Sequence, residues 1–192
     1  MNTDIAKNQT RLNQYCKFMA VLILLPILFM LIGTVSPMLF YFFHTNNIGL
    51  ESQGYSFFIS MAIDDGLDIT TLTFWQAALA TFIDTTKIII LIYAFYQLRL
   101  LFVNFGEADY FSIKSANYCY KFGKLLVIWA VVGVLSEPIL TAILSYHQPE
   151  PYFSISFASE DFMTLLLAAS IMFIGQILKK ACQIAEENRQ FI

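Results

Sequence analysis

Four long apolar runs, at residues 18–43, 79–102, 122–145 and 162–178, alternate with polar segments along this chain. A helix needs about 20 mostly apolar residues to cross a bilayer, at ~1.5 Å of rise per residue. The pattern therefore predicts an all-α fold, an integral membrane four-helix bundle. Pro26 lies inside the first run. It removes a backbone donor and its ring crowds the preceding turn, so the first span is predicted to be kinked. Residues 1–17 are polar and read as a short surface helix or a frayed tail. Between the second and third runs, Gly106 is expected to end one helix as its C′ residue, and Ser112 to cap a new one beginning at Ile113. After the fourth run, Ile177, Ala181 and Ile184 keep an apolar stripe at helical spacing, so the last helix is expected to continue beyond the membrane.

Charge orients the bundle. Ten of the eleven basic residues lie on one side of the runs: Lys7, Arg11 and Lys17; Arg99, Lys114, Lys121 and Lys124; and Lys179, Lys180 and Arg189. Segments 44–78 and 146–161 hold no Lys or Arg, but do hold Glu51, Asp64, Asp65, Asp68, Glu150, Glu160 and Asp161. Short loops rich in Lys and Arg stay in the cytoplasm, so both termini are expected inside (N-in/C-in), with cytoplasmic helical extensions. At 58% hydrophobic and 13% charged residues, the composition excludes an ordinary soluble domain. Little length remains outside the spans, and residues 1–192 read as a single transmembrane domain. The first run is far longer than the apolar core of a signal peptide and reads as a retained span.

Beyond the basic residues at their inner ends, Arg99 and Lys124, the runs hold three charged residues: Asp84, Lys87 and Glu137. Counting from Arg99, Lys87 and Asp84 lie roughly 18 and 22 Å into the membrane; counting from Lys124, Glu137 lies roughly 20 Å in. Charges in hydrocarbon cost several kcal/mol and usually face a partner or a cavity. Asp84 and Lys87 are i,i+3 neighbours on one helical face, and an intramembrane cluster is expected, with Lys87 facing Glu137 and Pro138 beside it. Such a cluster fits an ion pair that fixes helix register, a sensing site, or a transport path. Cys16, Cys119 and Cys182 fall near the inner face, where thiols stay reduced, and show no CxxC spacing. Asp64, Asp65 and Asp68 miss the EF-hand spacing, and His44 and His147 read as loop histidines. No metal or other cofactor is expected. No GxSxG, HExxH, Walker A or GxGxxG motif occurs, so the chain does not read as an enzyme. Its scattered basic residues do not suggest direct nucleic-acid binding.

Two stretches carry a family resemblance. One is Leu100-Leu101-Phe102 followed by Gly106-Glu107 and Phe111-Ser112. The other runs from Ile177-Leu178 through Ile184-Ala185-Glu186-Glu187-Asn188 to Phe191-Ile192. Together they resemble a bacterial family of four-span membrane proteins of unknown function, serial label 2975. The spacing from Gly106 to Phe111 is longer than the family's compact form by residues such as Ala108-Asp109. Members are often encoded beside a small helix-turn-helix regulator. The resemblance thus implies a regulatory or sensory protein of the bacterial inner membrane that holds such a transcription regulator. Its docking positions would be Gly106, Glu107, Phe111, Glu186, Glu187 and Phe191. The alternatives are a small transporter or channel subunit using the charge cluster, and a structural subunit of a membrane complex. No GxxxG face argues for a dimer, and a homo-oligomer stays open.

Overall fold

The computed structural model describes residues 2–33, 42, 51–52, 55–56, 73–146 and 159–190. The chain forms α1 (Asn2–Leu22), α2 (Leu24–Gly33), a two-residue antiparallel ladder of β1 (Glu51–Ser52) and β2 (Tyr55–Ser56), then α3 (Phe74–Gly106), α4 (Ile113–Ser145) and α5 (Ser159–Gln190). Apart from that ladder, the regular elements among the described residues are helices. Four segments are long and apolar enough to cross a membrane: Gln9–Leu31, Phe74–Gly106, Ile113–Ile143 and Asp161–Asn188.

The helices are longer than the apolar runs. α3 and α4 have 33 residues each and α5 has 32. That is about 50 Å of helix against about 30 Å of hydrocarbon. Polar ends rich in Lys, Glu, Gln and Ala, such as that of α5, keep helical propensity beyond the lipid. The same holds at the start of the chain. Residues 2–17 are helical rather than a frayed tail, and the first span-length segment begins at Gln9 rather than Phe18. A turn at Ile23 separates α1 from α2, three residues before Pro26. Of the first apolar run, residues 34–41 and 43 lie outside the described residues, as do His44, His147 and the Asp64, Asp65, Asp68 cluster.

Small residues are inside and large ones outside. Ala20, Ala77, Ala80, Ala94, Ala116 and Ala168 are buried, while Trp75, Phe82, Phe173 and Leu167 are among the most exposed side chains. In water this inversion would be costly. In lipid it is expected, because backbone approach through small residues replaces hydrophobic burial as the source of packing. The helices are thus those of a multi-pass membrane protein.

The chain divides into two compact units. The first comprises Met1–Leu28, Ile90–Ala130 and Glu160–Ile192; the second comprises Phe29–Ile89 and Val131–Ser159. In the first, α3 and α4 run antiparallel, with Asn104 against Ser115 and the Phe95 and Phe122 rings 6.3 Å apart. Here α4 and α5 cross at a pair of glycines. A Cβ on Gly123 would stand 2.3 Å from the Met172 nitrogen, and one on Gly175 would stand 2.4 Å from the Tyr120 nitrogen. In the second unit, Gln76 reaches back to Thr73 at the start of α3, as the third residue of a capping box does. Its Oε1 accepts from the Thr73 N–H at 2.9 Å and from the Thr73 hydroxyl at 2.8 Å, and its Nε2 donates to the Ile143 carbonyl at 2.8 Å. One amide thus closes an orphan donor of α3 and an orphan acceptor of α4.

Candidate functional site

Asp84, Lys87 and Glu137 all fall in the second unit. Lys87 and Asp84 sit one turn apart on α3, with Lys87 Nζ 3.7 Å from Asp84 Oδ1 and both side chains 23% exposed. Among the described residues, Lys87 forms its ion pair within its own helix and not with Glu137. The i,i+3 relation guarantees adjacency on one helix face. Matching depth on two helices does not, because depth says nothing of the azimuth at which each side chain leaves its helix. Glu137 is half-buried on α4, and its backbone carbonyl accepts from Thr141 Oγ1 at 3.1 Å. Thr141 also reaches the Pro138 carbonyl at 3.1 Å, which supplies a donor beside the proline.

Near the start of α3 and the end of α4, the second unit also holds an apolar groove of about 670 Å³. Trp75, Leu79, Ile139 and Tyr146 line it beside the Gln76 amide. Nothing in the sequence reading anticipated it, although Thr73-Phe74-Trp75-Gln76 carries the capping-box signal.

The first unit holds the turn between α3 and α4, and this turn is built with unusual completeness. The Ala108 N–H donates to the Phe105 carbonyl and the Asp109 N–H to the Asn104 carbonyl, both at 3.1 Å. These two bonds are a Schellman motif whose left-handed C′ residue is Ala108, at φ 65°. Gly106 is therefore not the C′ residue. It is the last residue of α3, and its lack of a side chain serves a close approach instead: a Cβ there would stand 2.8 Å from Lys17 Cγ on α1. Ser112 caps α4 as expected, its Oγ accepting from the Ser115 N–H at 3.1 Å. Ser115, 1% exposed, ties the turn together. Its Oγ donates to the Asp109 carbonyl at 2.8 Å and accepts from Asn104 Nδ2 at 3.4 Å. The Tyr110 hydroxyl donates to Asn13 Oδ1 on α1, so α1 is fastened to the turn at two points.

The docking positions drawn from the family resemblance separate accordingly. Gly106 is buried, against Lys17 of α1. Glu107 is exposed, and Phe111 is 86% exposed at the tip of the turn. Glu186 and Glu187 are exposed on the last turns of α5. Phe191 lies outside the described residues. The stripe of Ile177, Ala181 and Ile184 faces outward.

The family described as "Protein of unknown function (DUF2975)" matches residues 70–192. The chain belongs to that family. Comparison with curated proteins and with solved structures returns no match. The DUF2975 match takes in α3, α4 and α5 whole, and with them the intramembrane charges, the locked turn and the glycine crossing. It leaves out α1, the helix that Asn13 and Lys17 fasten to the turn. Sequence reasoning missed Asn104, Ser115, Ala108, Gly123 and Gly175. Only the presence of glycine within long apolar helices hinted at the last two.

Proposed function

We propose that this DUF2975 protein is a non-enzymatic regulatory or sensory protein of the bacterial inner membrane, docking a cytoplasmic partner at the basic end of its bundle. Both termini lie in the cytoplasm, and Pro26 bends the first span. The orientation follows from the lysines and arginines of the inner segments. The observation that carries the docking reading is the end of α5. Residues 184–188 are helical and exposed on every face, with Ile184 among them. A few turns of helix without packing are marginal in water. An apolar stripe and two carboxylates on such an end suit a partner surface. The family resemblance implies a small helix-turn-helix transcription regulator as that partner.

The test is purification of the tagged chain from its native membrane, with and without residues 181–192. Recovery of a small DNA-binding protein that depends on the tail supports the reading. Recovery of membrane subunits alone, indifferent to the truncation, refutes it. A second reading, a small transporter or channel subunit, is favoured by the Asp84–Lys87 pair within a span. Proteoliposome flux abolished by Glu137→Gln would support it, and absence of flux would count against it.

A further inference from the structure

We propose that Lys121 and Lys124 of α4 hold the phosphate of an anionic phospholipid, whose chains lie along the apolar stripe that continues from them on the same helix. The site does not depend on a soluble partner. Exposed residues of α4 recur at alternating steps of three and four: Lys121, Lys124, Ile128, Val131 and Leu135. They form one outward stripe. Its first two positions are cationic and its next three are apolar. That is the order of polarity in a lipid, from headgroup to chain.

The height of the two lysines singles them out. At the glycine crossing Gly123 lies against Met172 and Gly175 against Tyr120, so Lys121 is level with Ile174 and Lys124 with Ile171. The first charge that α5 carries beyond these is Lys179, five and eight residues further on. The lysines therefore stand roughly 8 and 12 Å deeper than the point at which α5 becomes charged. On α3, the contact of Phe95 with Phe122 puts Tyr96 level with Lys121 and Tyr93 with Lys124. Both tyrosines are exposed, and their rings stack 6.5 Å apart. Exposed tyrosines mark the membrane–water boundary. That boundary thus sits deeper at α3 and α4 than at α5, and cations there require a counter-charge. The chain supplies none. Among the described residues neither lysine makes an ion pair. The nearest carboxylates along the chain are Asp84, nine residues before Tyr93, and Glu107, eleven after Tyr96; on α4 the next is Glu137, thirteen after Lys124. α5 has none between Asp161 and Glu186, and Arg99 adds a third cation three residues after Tyr96. Basic clusters between spans at this level bind anionic headgroups. An acidic protein surface would have to displace the headgroup layer to reach it, and a free phosphate would leave the apolar stripe uncovered.

The experiment offers the delipidated full chain, in a non-ionic detergent, dioleoyl phosphatidylglycerol or dioleoyl phosphatidylcholine, and counts retained lipids by native mass spectrometry. The expected result is retention of phosphatidylglycerol at concentrations where phosphatidylcholine is lost. Lys121→Gln/Lys124→Gln should weaken that retention about tenfold, and Lys121→Arg/Lys124→Arg should preserve it. Lys179→Gln/Lys180→Gln removes the same charge from α5 and should change retention less than about twofold. Where the glutamine pair at 121 and 124 accumulates poorly, the parent's preference between the two lipids, and its persistence in excess inorganic phosphate, test the proposal without it. Equal retention of the two lipids overturns the proposal, as does displacement by inorganic phosphate. So does a loss from the 179/180 pair as large as that from the 121/124 pair, or no loss from the latter.

Discussion

Substituting Gly123 by alanine should separate α4 from α5. The new Cβ would lie 2.3 Å from the Met172 nitrogen, 2.6 Å from its Cα and 2.9 Å from the Ile171 carbonyl carbon. All three are backbone atoms, so no side-chain rotation relieves them, and the helices must move apart by about 1 Å to restore ordinary contact. A gap of that size forfeits up to about half of each dispersion well at the crossing, where each atom pair contributes ~0.1–0.2 kcal/mol. Over some tens of pairs the loss is about 2–4 kcal/mol, in line with other overpacked interiors. Gly175→Ala makes the same demand from the other side, at 2.4 Å from the Tyr120 nitrogen. One displacement relieves both, so the double variant should cost clearly less than the two single costs added together. Gly133→Ala is the control, since nothing lies within 4 Å of a Cβ there. Reversible unfolding in mixed detergent micelles reads all four variants. A Gly123→Ala protein within about 0.5 kcal/mol of the parent, or strict additivity with Gly175→Ala, would refute the crossing as described.

Two further outcomes follow from the same geometry. Ala108→Gly removes the penalty of a left-handed alanine and should stabilise the protein by about 1 kcal/mol, read by the same unfolding titration; a loss of stability would show that Ala108 does not hold the C′ position. Lys87→Met leaves the Asp84 carboxylate unpaired in the span, a cost of about 3 kcal/mol on insertion scales, and should lower accumulation in the membrane. Asp84→Asn should restore that accumulation and Glu137→Gln should not; the reverse pattern would reinstate Glu137 as the partner of Lys87.

The stretches that cross the membrane were legible in the sequence because they are one-dimensional: a count of apolar residues measures the bilayer whatever the neighbours do. The cap at Ser112 was legible for a similar reason, since a serine oxygen reaches its own helix's N–H without help from the rest of the chain. Helix ends were less so. The apolar runs mark where lipid stops, whereas α3, α4 and α5 continue into polar sequence that still favours helix.

What only the tertiary structure decided is which faces meet. Depth along the bundle put Asp84, Lys87 and Glu137 at one level; the pair of Lys87 with Asp84 is local, within one turn of α3, and it is the rotation of each helix about its axis that decides whether Glu137 reaches it. Gly106 looked like a helix terminator, and its function is room for Lys17, a residue 89 positions earlier in the chain. Gly123 and Gly175 are isolated glycines in sequence and a single crossing in space. Such contacts depend on azimuth and on residues far away along the chain. Local periodicity fixes neither, since every face of a lipid-immersed helix is apolar and the hydrophobic pattern does not say which one turns inward.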